Sequence, residues 1–329
     1  MVQINFLDAL AANLLSPAVL FFALGLAAAL LRCNLKFPEP LYVTLTIYLL
    51  VALGFKGGVA IHEAGVGTVI VPAAAAMLLG ALIPLWVYPL LRLGGRFRAV
   101  DAAAIAAHYG SVSAVTFITA TNYLKGIDEP YENYATAFLA VMESPAIIVG
   151  VLLGKLALGS GQPAFTGSIK TVLHEAVFGR SVFLLVGALV VGALCGTSGM
   201  RKVEAFFVTP FQGVLALFLL EMGMVAGQRL GDLRKVGPFL IGFGIVMPLV
   251  HGALGILLGN YVGLSLGGAT LLGVLSSSAS YIAAPAAMRL SLPEANPALY
   301  LTPSLAITFP FNITVGIPIY YGFARYVMT

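Results

Sequence analysis

The sequence predicts an all-α polytopic membrane protein: ten transmembrane helices in two inverted five-helix repeats, with helices 4 and 9 interrupted. Three observations predict it. The 329 residues are 60% hydrophobic and only 9% charged, where a soluble domain carries roughly 25% charged residues. Breaks at Pro, Gly and charge clusters divide the chain into ten apolar runs near the length a bilayer requires. Two stretches rich in small hydroxyl residues, Gly110-Ser111-Val112-Ser113 and Ser276-Ser277-Ser278-Ala279-Ser280, then interrupt one run in each half.

In order, the first half holds runs at residues 16–31, 41–61, 68–91, 101–123 and 134–158. Asp101 opens the fourth as a helix cap, and the fifth carries Glu143-Ser144-Pro145 near its middle. A polar linker at 159–179 follows, containing Lys170 and His174 and expected on the cytoplasmic side. The second half holds runs at 180–195, 205–228, 236–262, 266–288 and 300–326. The expected organisation is therefore a first repeat over 1–158, the linker, and a second repeat over 180–329. Residues 1–16 carry Asp8 and no Lys or Arg, so a signal peptide's basic leader is not expected there.

The halves resemble each other. Tyr134 to Gly150 laid over Tyr300 to Gly316 matches at seven of seventeen positions, and nearly the same offset lays Ser111 and Ser113 over Ser278 and Ser280. Five spans is an odd number, so the second copy must lie inverted in the membrane, an arrangement many transporters use. Lys and Arg then orient the chain. One set of loops carries Arg32, Lys36, Arg92, Arg96, Arg98, Lys155, Lys170, Arg180, Arg229, Arg234, Lys235 and Arg289, and the other only Lys125, Arg201, Lys202 and Arg325. The first set is cytoplasmic by the positive-inside rule, and both termini are expected outside.

The chemistry is expected at the two breaks. A helix that opens at mid-membrane depth frees backbone groups, tolerated only where protein or a water-filled cavity satisfies them. A half-helix beginning after Ser113 and another near Ser280 would each offer unpaired N–H groups and partial positive charge to a small anion. Gly110, Ser111, Ser113, Ala114, Ser278, Ala279 and Ser280 are the expected substrate-binding residues. The hydroxyls of Ser113, Thr116 and Ser280, with Glu143 and Asn312, are the expected Na⁺ ligands. The bland alternative is that these small residues merely let helices pack closely; two copies in register favour the site.

A carboxylate at mid-membrane depth, as at Glu143, is a cation ligand or proton carrier by default. Glu221 and Lys56 occupy related places in the two halves and could pair. His108 and His251 lack metal-ligand spacing and are expected to pack or hydrogen-bond. Cys33 and Cys195 form neither a disulfide framework nor a metal site. No catalytic or nucleotide-binding motif is present, so the chain reads as a gradient-driven carrier and not an enzyme, with no organic cofactor. No basic run with interleaved aromatics suggests nucleic acid.

Several stretches resemble the sodium-dependent bicarbonate transporters, best known from cyanobacteria. They are Asp101-Ala-Ala-Ala with Gly110-Ser-Val-Ser, Met142-Glu-Ser-Pro-Ala146, Met222-Gly-Met with Arg229-Leu-Gly-Asp-Leu-Arg-Lys235, and Val250-His-Gly252. The second half adds Ser276 to Ile282 with Pro285 and Arg289, then Leu292-Pro-Glu-Ala-Asn-Pro297. The resemblance implies Na⁺-coupled bicarbonate uptake across a bacterial inner membrane, a homotrimer, and a PII-like regulatory protein at the cytoplasmic face. The chain departs from that pattern in its short linker, in Glu143 where relatives resemble a shorter Asp, and in Ala279 and Ser280 where they carry a carboxylate. A carrier of another small monocarboxylate or oxyanion, or an anion-binding membrane sensor, are the competing expectations.

Overall fold

The structure is a computed structural model that describes residues 10, 11, 13–33, 35, 37–158, 174 and 178–329. Most of the 159–179 linker, Lys170 included, lies outside the described residues, as do Asp8 and Lys36. Among the described residues there are helices and turns but no strand. Among these residues eight helices are long and apolar enough to cross a membrane, and two shorter apolar helices accompany them.

We number the helices α1 Pro17–Leu30, α2 Glu39–Ala64, α3 Val66–Leu93, α4 Ala99–Gly110, α5 Ala114–Gly126, α6 Thr136–Leu158, α7 Arg180–Phe207, α8 Phe211–Arg229, α9 Leu233–Tyr261, α10 Leu266–Ser277 and α11 Ala283–Ser291. The last helix, α12, spans Pro297–Met328. Local chemistry sets many of the starts. Ser16 caps α1 by accepting from the Val19 amide at 3.4 Å, with Pro17 next. Ser265 caps α10 at 3.1 Å through Gly268, and Asn296 caps α12 at 3.0 Å through Ala298, each satisfying an N–H that the first turn leaves orphaned.

Three runs differ from what the sequence predicts. The sixth, expected to end at Cys195, continues as α7 to Phe207 because Gly196 bends the helix at φ 57° instead of stopping it, a conformation glycine adopts without steric cost. Arg201, Lys202 and Glu204, read as loop, are helical, and α8 starts at Phe211. The tenth run contains π-helical turns at Pro303–Thr308 and Asn312–Gly316. Pro303, Pro310 and Pro318 remove amides along it, and wider turns accommodate the loss.

The helices sort into two bundles. In one, α1 packs on α8 and α2 on α7; in the other, α3, α4, α5, α6, α9, α10, α11 and α12 pack among themselves. Both crossings of the first bundle are built on reciprocal glycines. A Cβ on Gly25 would overlap the Leu220 carbonyl and crowd the Met224 amide, and one on Gly223 would meet the Phe22 carbonyl and Leu26 amide. The α2–α7 crossing repeats this: Gly58 faces the Leu189 carbonyl and Ala193 amide, and Gly192 the Phe55 carbonyl and Val59 amide. In each case the contacts are the carbonyl three residues before the partner glycine and the amide one residue after it. Such close approach maximises dispersion contacts, which drive helix association in lipid.

The interrupted α4–α5 run occupies the centre of the molecule. Its most apolar stretch is 94% buried, against 28% for α7. Ala102, Ala103, Ala104, Ala106 and Ala107 are all completely buried, their small side chains letting α4 be surrounded. Outward faces of α3 and α7 expose Val71, Leu78, Val190 and Leu194, as a lipid-facing surface requires. The ends of the buried run are tied to the other half. Asp101 binds Arg98 (2.7 and 3.1 Å) and accepts from the Asn296 amide at 2.8 Å in the segment before α12. Glu132, before α6, accepts from the Ser265 amide and hydroxyl at 2.7 and 2.8 Å where α10 starts.

Candidate functional site at the crossed breaks

Helix α4 stops at Gly110 and α10 at Ser277, and the capping serines hold nearly the same backbone: Ser111 at φ −82°, ψ 164°, and Ser278 at φ −83°, ψ 163°. The two breaks then cross and bond to each other. The Ser280 amide donates to the His108 carbonyl at 2.8 Å. The Ser113 amide donates to Ser278 Oγ at 2.9 Å, and that hydroxyl donates to the Leu275 carbonyl at 2.7 Å. His108 precedes Ser113, and Leu275 precedes Ser280, by five residues in each break. The same amide-to-carbonyl link is therefore made twice, directly on one side and through a hydroxyl on the other.

Beyond the crossing, Ser113 caps α5: its Oγ accepts from the Thr116 amide (3.2 Å) and hydroxyl (2.9 Å). Ser280 Oγ accepts from the Ala284 amide at 3.2 Å. The second half-helix begins at Ala283, three residues later than its expected start near Ser280. The amides of Ala114 and Val115, and those of Ile282 and Ala283, have no acceptor among the described residues.

These ends enclose a small cavity of about 20 Å³ lined by Ser113, Ala114, Ser280, Tyr281, Ile282 and Glu143, with Leu50, Leu139 and Leu185 closing it from α2, α6 and α7. That volume accommodates about one water. Glu143 is 7% exposed, and no cation lies within ion-pair distance of it among the described residues. Pro145, two residues on in α6, cannot donate to the Val141 carbonyl, which leaves that oxygen free of its helical bond.

Of the expected residues, the structure gathers Ser113, Ala114, Ser280 and Glu143 on one cavity. The rest lie around it. Gly110 lets α4 approach Pro84 of α3 and Ala146 of α6. Thr116 is engaged with Ser113, Ser278 forms the hydroxyl link, and Ala279 packs in the core. Ser111 Oγ is buried with no hydrogen-bond partner among the described residues. Asn312 is held away from the cavity: its amide donates to the Ser277 carbonyl at 3.0 Å, and its oxygen accepts from Tyr320 at 2.9 Å. It steadies the end of α10.

Tyr281 was not singled out from the sequence, although it follows Ser280 directly. Its hydroxyl is buried without a hydrogen-bond partner among the described residues, and it faces the cavity. Lys56 and Glu221 do not pair. Lys56 lies over the Phe211 ring at 4.3 Å, while Glu221 keeps a buried oxygen unpartnered among the described residues. The histidines serve packing and hydrogen bonding. His108 binds the Ala104 carbonyl at 2.7 Å and stacks on Tyr300 at 4.5 Å, and His251 accepts from Trp86 at 3.0 Å.

The profile of the Na⁺-dependent bicarbonate transporter superfamily matches residues 17–325, nearly the whole chain. The chain belongs to that superfamily. A search of curated proteins finds no match. Two helix ends whose first amides have no acceptor among the described residues share this cavity with one carboxylate, that of Glu143. Among the described residues no group of three His, Cys, Asp or Glu could hold a metal ion. Any cation in this cavity would therefore be held by hydroxyls, carbonyls and the single carboxylate of Glu143.

Proposed function

We propose that the protein is a Na⁺-coupled symporter that imports bicarbonate across a bacterial inner membrane. The carrying observation is the cavity at the crossed breaks, which Ser113, Ser280 and Glu143 line together. The free amides of Ala114, Val115, Ile282 and Ala283 suit a small oxyanion, because helix N-termini present donors and partial positive charge. An anion in this cavity also meets the Glu143 carboxylate. At about 4 Å, two like charges repel by roughly 4 kcal/mol at an effective dielectric near 20. A Na⁺ bound with the anion, on Glu143 and the hydroxyls of Ser113, Thr116 and Ser280, offsets that repulsion. Neither ion then binds well alone, which is the thermodynamic content of coupling.

The architecture that supports this reading is ten spans in two inverted halves. The twin glycine crossings, the matching backbone at Ser111 and Ser278, and the doubled link between the breaks all favour it. Loop charges favour both termini outside and a cytoplasmic 159–179 linker. A cavity sized for one water must widen for the four heavy atoms of bicarbonate, so we infer that the two bundles move relative to each other during transport. The family resemblance also supports a homotrimer and a PII-like partner at the cytoplasmic face.

Labelled bicarbonate uptake into proteoliposomes tests the reading, with and without an inward Na⁺ gradient. Accumulation that collapses when K⁺ replaces Na⁺ is expected. Uptake that ignores Na⁺ and follows a pH gradient would reassign Glu143 to protons, and no bicarbonate uptake would sink the proposal. Excess acetate or nitrate should leave uptake unchanged, since competition would point to a broader oxyanion carrier.

A further inference from the structure

Outside the crossing, the structure holds a cavity of about 550 Å³ between the two bundles. It opens at the ends of α2, α5, α7 and α8, the face that loop charges place outside. Its inner wall continues the wall of the small cavity with one helical turn between. On α2, Leu50 lines the small cavity and Leu53 the large one; on α5 the pair is Ala114 and Phe117, and on α6 Leu139 and Thr136. Residues three apart on a helix are neighbours on one face. The same three helices thus form both chambers, and one layer containing Leu53 and Phe117 divides them.

Lys56 stands next on that face of α2, lining the large cavity. About 12 Å of helix separates it from the end of α2 at Ala64, and about 9 Å from Leu50, at 1.5 Å rise per residue. The residue is half-buried, and its ammonium has no acid within ion-pair distance among the described residues and rests against the Phe211 ring. Lys125 lines the same cavity, and Glu63 and Glu204, both exposed, stand with it nearer the mouth. A charge this deep, with no carboxylate to neutralise it, is expensive unless an aqueous chamber hydrates it, and such residues mark ion pathways.

We propose that this chamber is the vestibule through which the anion reaches the crossed breaks, and that Lys56, aided by Lys125, forms a docking subsite for a small oxyanion. The identity of the anion rests on the carrier reading; the electrostatics of the chamber do not. Lys56 is a positioning residue. It raises the local concentration of anion one layer above the site, and Leu53 and Phe117 part to admit it.

Two measurements test this. The first compares bicarbonate uptake by the unaltered protein, Lys56→Gln and Lys56→Arg at low and high ionic strength. Charge-lined clefts raise association by tenfold or more, so Lys56→Gln should raise KM roughly five- to tenfold at low salt with kcat within about twofold. Arginine should restore KM, and the difference should shrink as salt screens the charge. An unchanged KM, or a fall in kcat that arginine does not rescue, overturns the subsite.

The second introduces Ala60→Cys, one turn outward of Lys56 on the chamber wall, after Cys33 and Cys195 are replaced by Ser. An anionic methanethiosulfonate should modify it several-fold faster than a cationic one, and adding Lys56→Gln should bring the ratio toward one. A ratio at or below one in the lysine-bearing protein overturns the proposal. If the unaltered protein takes up no bicarbonate while the anionic reagent still reacts faster, the bicarbonate reading fails and the anion vestibule stands.

Discussion

Ser113 and Ser280 each do two things at once: they cap a half-helix and line the cavity. Removing both hydroxyls exposes two first-turn amides and deletes two of the proposed ligands. Ser113→Ala with Ser280→Ala should therefore abolish bicarbonate uptake while the protein still assembles, as judged by size-exclusion chromatography beside the flux assay. Normal transport would refute the site. Glu143→Gln keeps the shape but removes the charge that calls for a cation, so uptake should lose its Na⁺ dependence, read as equal rates in Na⁺ and K⁺. Glu143 was legible in the sequence because a carboxylate is costly in an apolar run and is rarely kept there without a function. Asn312, expected as a Na⁺ ligand, is engaged by Ser277 and Tyr320 outside the cavity, and both bonds depend on tertiary placement that no spacing encodes. Tyr281 was hidden in the opposite way, since an aromatic beside a serine-rich break reads as packing.

Helix ends and helix crossings follow different rules, and the sequence was readable for the first more than the second. Polar breaks at Gly110 and Ser278 announced where α4 and α10 stop. The bend at Gly196 did not, because glycine marks a stop or a kink with the same letter, and the charged turn of α7 after it looked like loop. Which glycines face a neighbour was equally invisible before α1 was seen on α8 and α2 on α7. Those crossings now make a paired prediction. Gly58→Val places a side chain on the Leu189 carbonyl, and Gly223→Val places one on the Phe22 carbonyl. Overpacking of this kind costs about 1–3 kcal/mol or more where backbone must move. Both variants should lower the melting temperature in detergent by similar amounts, whereas Gly187→Ala, with nothing near its Cβ position, should leave it unchanged. Unequal losses at the two twins would show that the crossings are not equivalent.

At the scale of the molecule, Asn122 of α5 and Gln212 of α8 join the bundles by exchanging two amide hydrogen bonds at 2.9 and 2.7 Å. Each such bond contributes on the order of 1 kcal/mol net, enough to bias a resting position and too little to lock it. If transport moves one bundle past the other, this pair must separate in every cycle. Asn122→Cys with Gln212→Cys, bridged by a short cleavable bifunctional thiol reagent in a background lacking Cys33 and Cys195, should stop uptake, and cleavage should restore it. Uptake that survives bridging would mean that the bundles do not slide at this point. Composition and loop charge gave the polytopic architecture at this scale. The division into four helices and eight was not readable, because both bundles are made of equally apolar helices.

The doubled link at the crossing has a consequence for how this protein will look to genetics. One break is fastened by backbone alone, Ser280 to His108, and the other through a removable hydroxyl on Ser278. Truncating side chains one by one can cut only the second fastening. A mutational survey will therefore reach one joint through the Ser278 side chain and leave the other intact whatever side chain is changed, although the two joints link the breaks alike. Reaching that other joint requires changing the main chain itself, for instance by replacing the Ser280 amide with an ester that accepts but cannot donate.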